Sequence, residues 1–217
     1  MIRALFTMAL VVAIQAPPTP RYHASVDTLS APVRADLKSS GAWRPVCPVP
    51  LSRLRLLSVT YWDFRGRAQT GRIVVNERAA HPLKRVFRRL FEVRFPIKHM
   101  RFEDAYTVSS SRPDDIDISG SFDCGKAKPS PCDPGGATGW SNHAYGLAVD
   151  LNPVENPYTC GGRAYHPESE PYMDRSRLRR GMVTPEVVRA FRSIGWGWGG
   201  DWTGPTKDYT HFSETGN

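Results

Sequence analysis

Ser141-Asn142-His143-Ala144-Tyr145-Gly146-Leu147-Ala148-Val149-Asp150 is answered about sixty residues later by Asp208-Tyr209-Thr210-His211. Together the two stretches supply two imidazoles and two carboxylates in an order that suits a catalytic zinc. Zinc of that kind takes three protein ligands from histidine and carboxylate, leaves a fourth position to water and lowers the pKa of that water to about 7. His143, Asp150 and His211 are the ligand candidates. If His211 binds the metal, Asp208, three residues before it, lies near enough to take a proton from the metal's water. Each residue also has a plainer reading: a hydrogen-bonded structural histidine, an Asx turn at Asp150-Leu151-Asn152-Pro153, and a turn or capping role for Asp208.

The spacing constrains how these groups could meet. In one straight strand His143 and Asp150 would stand roughly 23 Å apart at ~3.3 Å per residue, aimed at opposite faces. A bend must therefore intervene, and Gly146 sits where the chain could turn or let a neighbouring backbone come close. After it, Leu147 to Leu151 reads as a short buried strand with Asp150 at its polar end.

Other elements follow from periodicity. Leu56 to Trp62 and Ala68 to Val75 alternate around an Asp63-Phe64-Arg65-Gly66 turn, which predicts a hairpin. Leu83, Val86, Phe87, Leu90 and Phe91 mark an amphipathic helix that ends before Pro96, with His81 preceding it. Thr184 as N-cap, Pro185 at the first position and Val187, Val188, Phe191 and Ile194 inward predict a second helix stopping at Gly195. Met100 to Tyr106 and Thr210 to Ser213 add short strands. The expected architecture is a single α+β domain, helices packed on a mostly antiparallel sheet. Gly- and Pro-rich connections at 109–140 and 153–182 flank the proposed site, where substrate-shaping loops belong.

With 217 residues, 40% hydrophobic and 23% charged, the chain can bury one sizeable core and needs no second domain. Met1-Ile2-Arg3 followed by the apolar run Ala4 to Ala16 has the charge and length of a secretory signal, cleaved near residue 16 or retained as an anchor. Residues 17–40 read as a linker with weak helical content in Asp27 to Ser39, leaving 41–217 as the folded domain. Four cysteines in an exported chain point to disulfides, with three pairings open. No Cys-x-x-Cys spacing supports a thiolate zinc site.

These residues carry a family resemblance. Ser141-x-His143-x-x-Gly146-x-Ala148-x-Asp150 with Asp208-x-x-His211-Phe212 resembles the zinc D-alanyl-D-alanine carboxypeptidases, a family that includes vancomycin-resistance dipeptidases and phage endolysin peptidases. Trp43 to Leu51, Phe122-Asp123-Cys124, Asn152 to Tyr158 and Gly195 to Trp202 are similar to an extracellular bacterial branch, so the likeness spans about residues 40 to 213. The resemblance implies a hedgehog/D,D-peptidase-like fold and a zinc peptidase of peptidoglycan stem peptides. His143, Asp150 and His211 would be its ligands and Asp208 its general base, with zinc polarising water and scissile carbonyl. It favours Cys47 with Cys124, both in shared segments, and then Cys132 with Cys160, a bridge closing a loop of about 28 residues and worth roughly 3 kcal/mol.

One position departs from the pattern. The family has an arginine directly after the cysteine of the Phe122-Asp123-Cys124 segment, and here that position is Gly125. A bidentate guanidinium is not matched by an ammonium on a flexible stem. Lys126, Lys128 and Arg112 are the nearby cations that could contact substrate instead, against the alternative that they are solvated surface charges. Ser141 and Asp201 are candidates for holding an imidazole tautomer, although Asp201 fits a tight turn after Gly199-Gly200. The tryptophans at 196, 198 and 202 are read as core before groove.

A net charge of +8 and a pI near 9.6 would speed encounter with polyanions, and acidic wall polymers are natural partners for an exported bacterial protein. Nucleic acid is the rival partner, but no binding motif accompanies the charge, and Arg85, Arg88, Arg89 and Arg94 make a solvated helix face. His23, His81, His99 and His166 are assigned no role in the chemistry. Two functions are compatible with these features. One is a secreted or wall-associated, monomeric zinc peptidase, either a carboxypeptidase or an endopeptidase. The other is a wall-binding or signalling module that keeps the fold without turnover.

Overall fold

The computed structural model describes residues 19–102, 117–127, 132, 135 and 139–217. The expected signal segment, Lys128 and Arg112 lie outside these residues. The α+β class is as expected, and the antiparallel strands are divided among three small sheets.

The first sheet carries strands β1 (Ala24–Thr28), β2 (Leu54–Trp62) and β3 (Ala68–Asn76) in that order. The hairpin forms where the alternation predicted it, in register from Leu54 opposite Asn76 to Trp62 opposite Ala68. Its turn is organised by Asp63, whose Oδ1 accepts from the backbone N–H groups of Arg65 (2.8 Å) and Arg67 (2.9 Å). Despite the cost of burial, these bonds and the Arg67 guanidinium hold the Asp63 carboxyl down at about 2.

Helix α1 (Ala31–Ser39) falls within the weak helical content expected at Asp27 to Ser39, but its packing and that of β1 correct the reading of residues 17–40 as a linker. β1 pairs with β2 over its whole length, and Leu29, Val33 and Leu37 are buried with Leu54, Val74 and Phe122. Val33 and Leu37, one helical turn apart, with Leu29 just before the helix, anchor it to the body of the protein.

Helix α2 (Glu77–Glu92) begins earlier than the Leu83 pattern indicates and includes His81 and Pro82. Asn76 caps it, its side chain accepting from the Arg78 N–H at 3.2 Å. The stripe of Leu83, Val86, Phe87 and Leu90 packs into one core with Leu57, Val59 and Ile73 of the hairpin. Helix α3 (Pro185–Arg192) adds Val187, Val188 and Phe191 to the same core.

The second sheet, β4 (Ala148–Asp150), β9 (His211–Ser213) and β7 (Gly197–Trp198), has β9 at its centre. Strand alternation divides its residues. Val149 and Phe212 face each other across the pair and point into the core, where Phe212 stacks on Phe191 at 3.9 Å between ring centroids. Asp150 and His211, also directly opposite, point the other way. The third sheet contains β5 (Tyr158–Cys160), β6 (Arg163–Ala164) and β8 (Thr206–Asp208), with β5 central. At the position of the expected strand Met100 to Tyr106, Arg101 makes a single parallel bridge to Arg72, and the segment from 103 lies outside the described residues.

The loop after β4 is tied down by buried polar groups. Asn152, at φ 45° and fully buried, donates from Nδ2 to the carbonyls of Pro96 and Gly181 and accepts from the Lys98 N–H, all at 2.9 Å. The left-handed backbone is one that asparagine tolerates, and three satisfied bonds outweigh its strain. Beside it the carboxyls of Asp117 and Glu155, each 3% exposed, hydrogen-bond to one another. Burial and the neighbouring Asp117 carboxyl push Glu155 up to about 8, and burial likewise raises Asp117 against the pull of its bond from the Val154 N–H.

Both disulfides pair as the resemblance implies, Cys47 with Cys124 and Cys132 with Cys160, each with Cα atoms 5.7 Å apart. Such bridges fit an oxidising compartment. Among the described residues no helix is long and apolar enough to cross a membrane.

Candidate metal centre

His143 sits in a short 3₁₀ turn, Asn142–Tyr145, capped by the Ser141 hydroxyl, which accepts from the His143 N–H at 3.2 Å. The bend that the spacing requires is at Gly146, with φ 64°. Its N–H donates to the His143 carbonyl and its own carbonyl accepts from the Asn76 N–H, both at 2.9 Å. A Cβ at this position would lie 2.6 Å from the Asn76 nitrogen, so only glycine permits the contact between the turn and the cap of α2. The chain then enters β4 and delivers Asp150 beside its cross-strand neighbour His211.

The three side chains converge. His143 Nε2 lies 3.3 Å from Asp150 Oδ2, His211 Nδ1 lies 3.2 Å from Asp150 Oδ1, and the two imidazole nitrogens are 3.1 Å apart. One ligand atom from each residue falls within 4.8 Å of the others.

The outer nitrogens decide what the inner ones can do. His143 Nδ1 meets the Ser121 carbonyl at 2.5 Å and His211 Nε2 meets the Asn217 carbonyl at 3.1 Å. A carbonyl oxygen only accepts, so both outer nitrogens carry protons and a neutral imidazole then turns its lone pair inward. Two lone pairs facing each other at 3.1 Å beside a carboxylate repel unless a positive charge lies among them. The donor set, two imidazoles and one carboxylate, is that of a catalytic zinc, and its geometry fits such an ion.

The electrostatics agree. Burial disfavours a charged His143, but the Asp150 carboxylate and the Ser121 carbonyl outweigh it and push the imidazole up to about 9. Asp150, though burial works to raise it, is held far below the usual carboxylate range by the two imidazoles. Asp208 behaves oppositely. Burial, reinforced by the charge of Asp150, pushes it up to about 7, while His211 and His143 pull it down. The Thr210 N–H donates to its carboxylate, yet Oδ1 is shut off from solvent without a hydrogen-bond partner. An orphaned carboxylate oxygen beside a ligand cluster is an unused proton acceptor.

The other candidates are placed differently. Lys126 rests its ammonium 3.9 Å from the centroid of the Trp140 ring, a cation–π contact. Gly125 lies against the site turn, its carbonyl accepting from the Ser141 N–H at 3.1 Å. A cation absent from the sequence reading is next to it: Arg44 donates from Nη2 to the Cys124 carbonyl at 2.7 Å. Ser141 holds the His143 backbone and makes no bond to its ring, and Asp201 pairs with Arg192 at 2.7 Å. The tautomers are set by backbone carbonyls at 121 and 217. Trp196 is in the core, whereas Trp202 lies 5.8 Å from the His211 ring.

No curated protein and no solved structure matches the chain. Residues 135–214 match the family model described as D-alanyl-D-alanine carboxypeptidase. That segment contains His143, Asp150, Asp208 and His211, and the match supports a peptidase of the carboxypeptidase type.

Proposed function

We propose that the protein is a zinc-dependent peptidase of the D-alanyl-D-alanine carboxypeptidase type, acting on peptidoglycan stem peptides. The observation that carries the proposal is the convergence of His143 Nε2, His211 Nδ1 and the Asp150 carboxylate beside the unpartnered Oδ1 of Asp208. Zinc held by these three residues supplies Lewis acidity toward a scissile carbonyl and acidifies water.

The chain's own groups do the rest. Asp208 takes a proton from the attacking water and returns it to the leaving amine. The carbonyls of Ser121 and Asn217 keep both imidazoles in ligand-ready tautomers. Arg44, held at the Cys124 carbonyl, or Lys126 beside Gly125 meets the substrate carboxylate in place of the family arginine. Export to the wall, and retention there by acidic polymers through the net charge of +8, complete the reading.

Incubating the purified protein with muropeptides and weighing the products tests this directly. Loss of one alanine identifies a carboxypeptidase, and a cut within the stem or crosslink an endopeptidase. Zinc bound without any cleavage makes the protein a wall-binding module. Asp208→Ala should retain the metal while losing about 10²–10⁴-fold in rate. Equal activity in that variant would remove Asp208 from the mechanism.

A further inference from the structure

Resting on the reading of His211 as a ligand, we infer that residues 215–217 form a clasp that keeps the proton of His211 on Nε2 and the Nδ1 lone pair open toward the metal site, with Asn142 as its anchor. The Asn217 backbone oxygen accepts from His211 Nε2 (3.1 Å), Asn142 Nδ2 (2.6 Å) and Ser213 Oγ (2.9 Å). Asn142 Nδ2 also reaches Thr215 Oγ1 at 2.8 Å, and Trp202 donates from Nε1 to the Gly216 carbonyl at 2.6 Å. The segment is therefore held from both sides, by the turn that carries His143 and by the indole beside His211.

Its effect on His211 follows from competition for one proton. Asp150 Oδ1, 3.2 Å from Nδ1, is a charged acceptor, and charge-assisted hydrogen bonds are roughly twice as strong as neutral ones. Left to that contact alone, the proton of a neutral imidazole would sit on Nδ1 and occupy the lone pair a metal needs. The Asn217 backbone oxygen, held in place by Asn142 and Ser213, is the competing acceptor at Nε2, and with the proton on that side the Nδ1 lone pair stays open toward the metal site. Asn142 precedes His143 in sequence, so one short turn supplies one ligand and secures the positioning group of another.

Gly197 gives a way to displace the clasp without deleting a polar group. A Cβ there would come within 2.6 Å of the Gly216 Cα and touch nothing else but that residue's backbone. Gly197→Ala and Asn142→Ala should each weaken zinc binding by about 10–100-fold in competition with a chromophoric chelator. Thermal unfolding of the metal-free proteins should change little. In zinc-loaded wild type, the Nε2 proton of His211 should give a sheltered downfield resonance in the proton NMR spectrum, lost to exchange in both variants. Wild-type zinc affinity and a persistent resonance in the variants overturn the clasp alone. Wild-type protein that takes up no zinc overturns the metal centre, and the clasp with it. If Gly197→Ala fails to fold, Asn142→Ala decides.

Discussion

His143 and His211 stand 68 residues apart in the chain, yet their inner ring nitrogens are 3.1 Å from each other. Each outer nitrogen is occupied by a backbone carbonyl, so the contact juxtaposes two lone pairs that only a cation or a shared proton can reconcile.

Metal uptake should therefore stabilise the fold. With free zinc at about a thousand times its Kd, the native state gains roughly 4 kcal/mol. For a chain of this size that raises Tm by about 8–16 °C. Thermal scans with zinc and with chelator check this, and His143→Ala should erase the difference. A zinc-independent Tm in wild type would contradict the assignment.

Gly146→Ala should destabilise even the metal-free protein, by at least ~2 kcal/mol. The left-handed backbone alone costs a Cβ-bearing residue roughly 1–2 kcal/mol, and the added carbon would meet the Asn76 nitrogen at 2.6 Å. Urea unfolding should show a lower midpoint, and metal affinity should fall because the same turn carries His143. An unchanged midpoint would mean that the bend is not rigid.

The Asp117–Glu155 pair predicts a stability that depends on pH. The folded protein holds the Glu155 proton up to about 8, against an ordinary value of 4.5. Between these values the native state binds more protons than the unfolded one, so stability is greatest below 4.5 and is lost as pH rises to about 8. Glu155→Gln keeps a donor for Asp117 without a titrating group, and its unfolding free energy should fall less steeply over that interval. Parallel slopes for variant and wild type in a urea series from pH 5 to 9 would reject the pair as the cause.

Cys160→Ser should lose about 3 kcal/mol by freeing the 28-residue loop between Cys132 and Cys160. The bridge anchors β5, whose Tyr158 lies opposite Asp208. Chemical denaturation with and without reductant measures the loss. A variant as stable as the oxidised wild type would show that the bridge adds nothing.

The cluster of His143, Asp150 and His211 was legible in the sequence because imidazoles and carboxylates announce themselves by type. Gly146 was legible because two side chains seven residues apart cannot meet without a bend. The hairpin and the two amphipathic helices followed from apolar periods of two and 3.6 residues. The weak helical content read at Asp27 to Ser39 is where α1 forms, whereas β1 was missed because it is a short, largely exposed edge strand with only Ala24 and Val26 on its inner side. The groups that fix the tautomers were invisible for a different reason. Carbonyls at Ser121 and Asn217 act through the backbone, which every residue shares, so no residue type could point to them. Arg44 was missed because it lies 80 residues from the carbonyl it meets.

Asp150 and His211 are direct partners across β4 and β9. Sliding one strand past the other by a single residue would throw one of the two side chains into the hydrophobic interior and bring Val149 or Phe212 outward in its place. Misaligned chains would thus break the His-Asp-His cluster and the apolar packing at a stroke, so an ion held there as proposed would double as proofreading of how these strands came together.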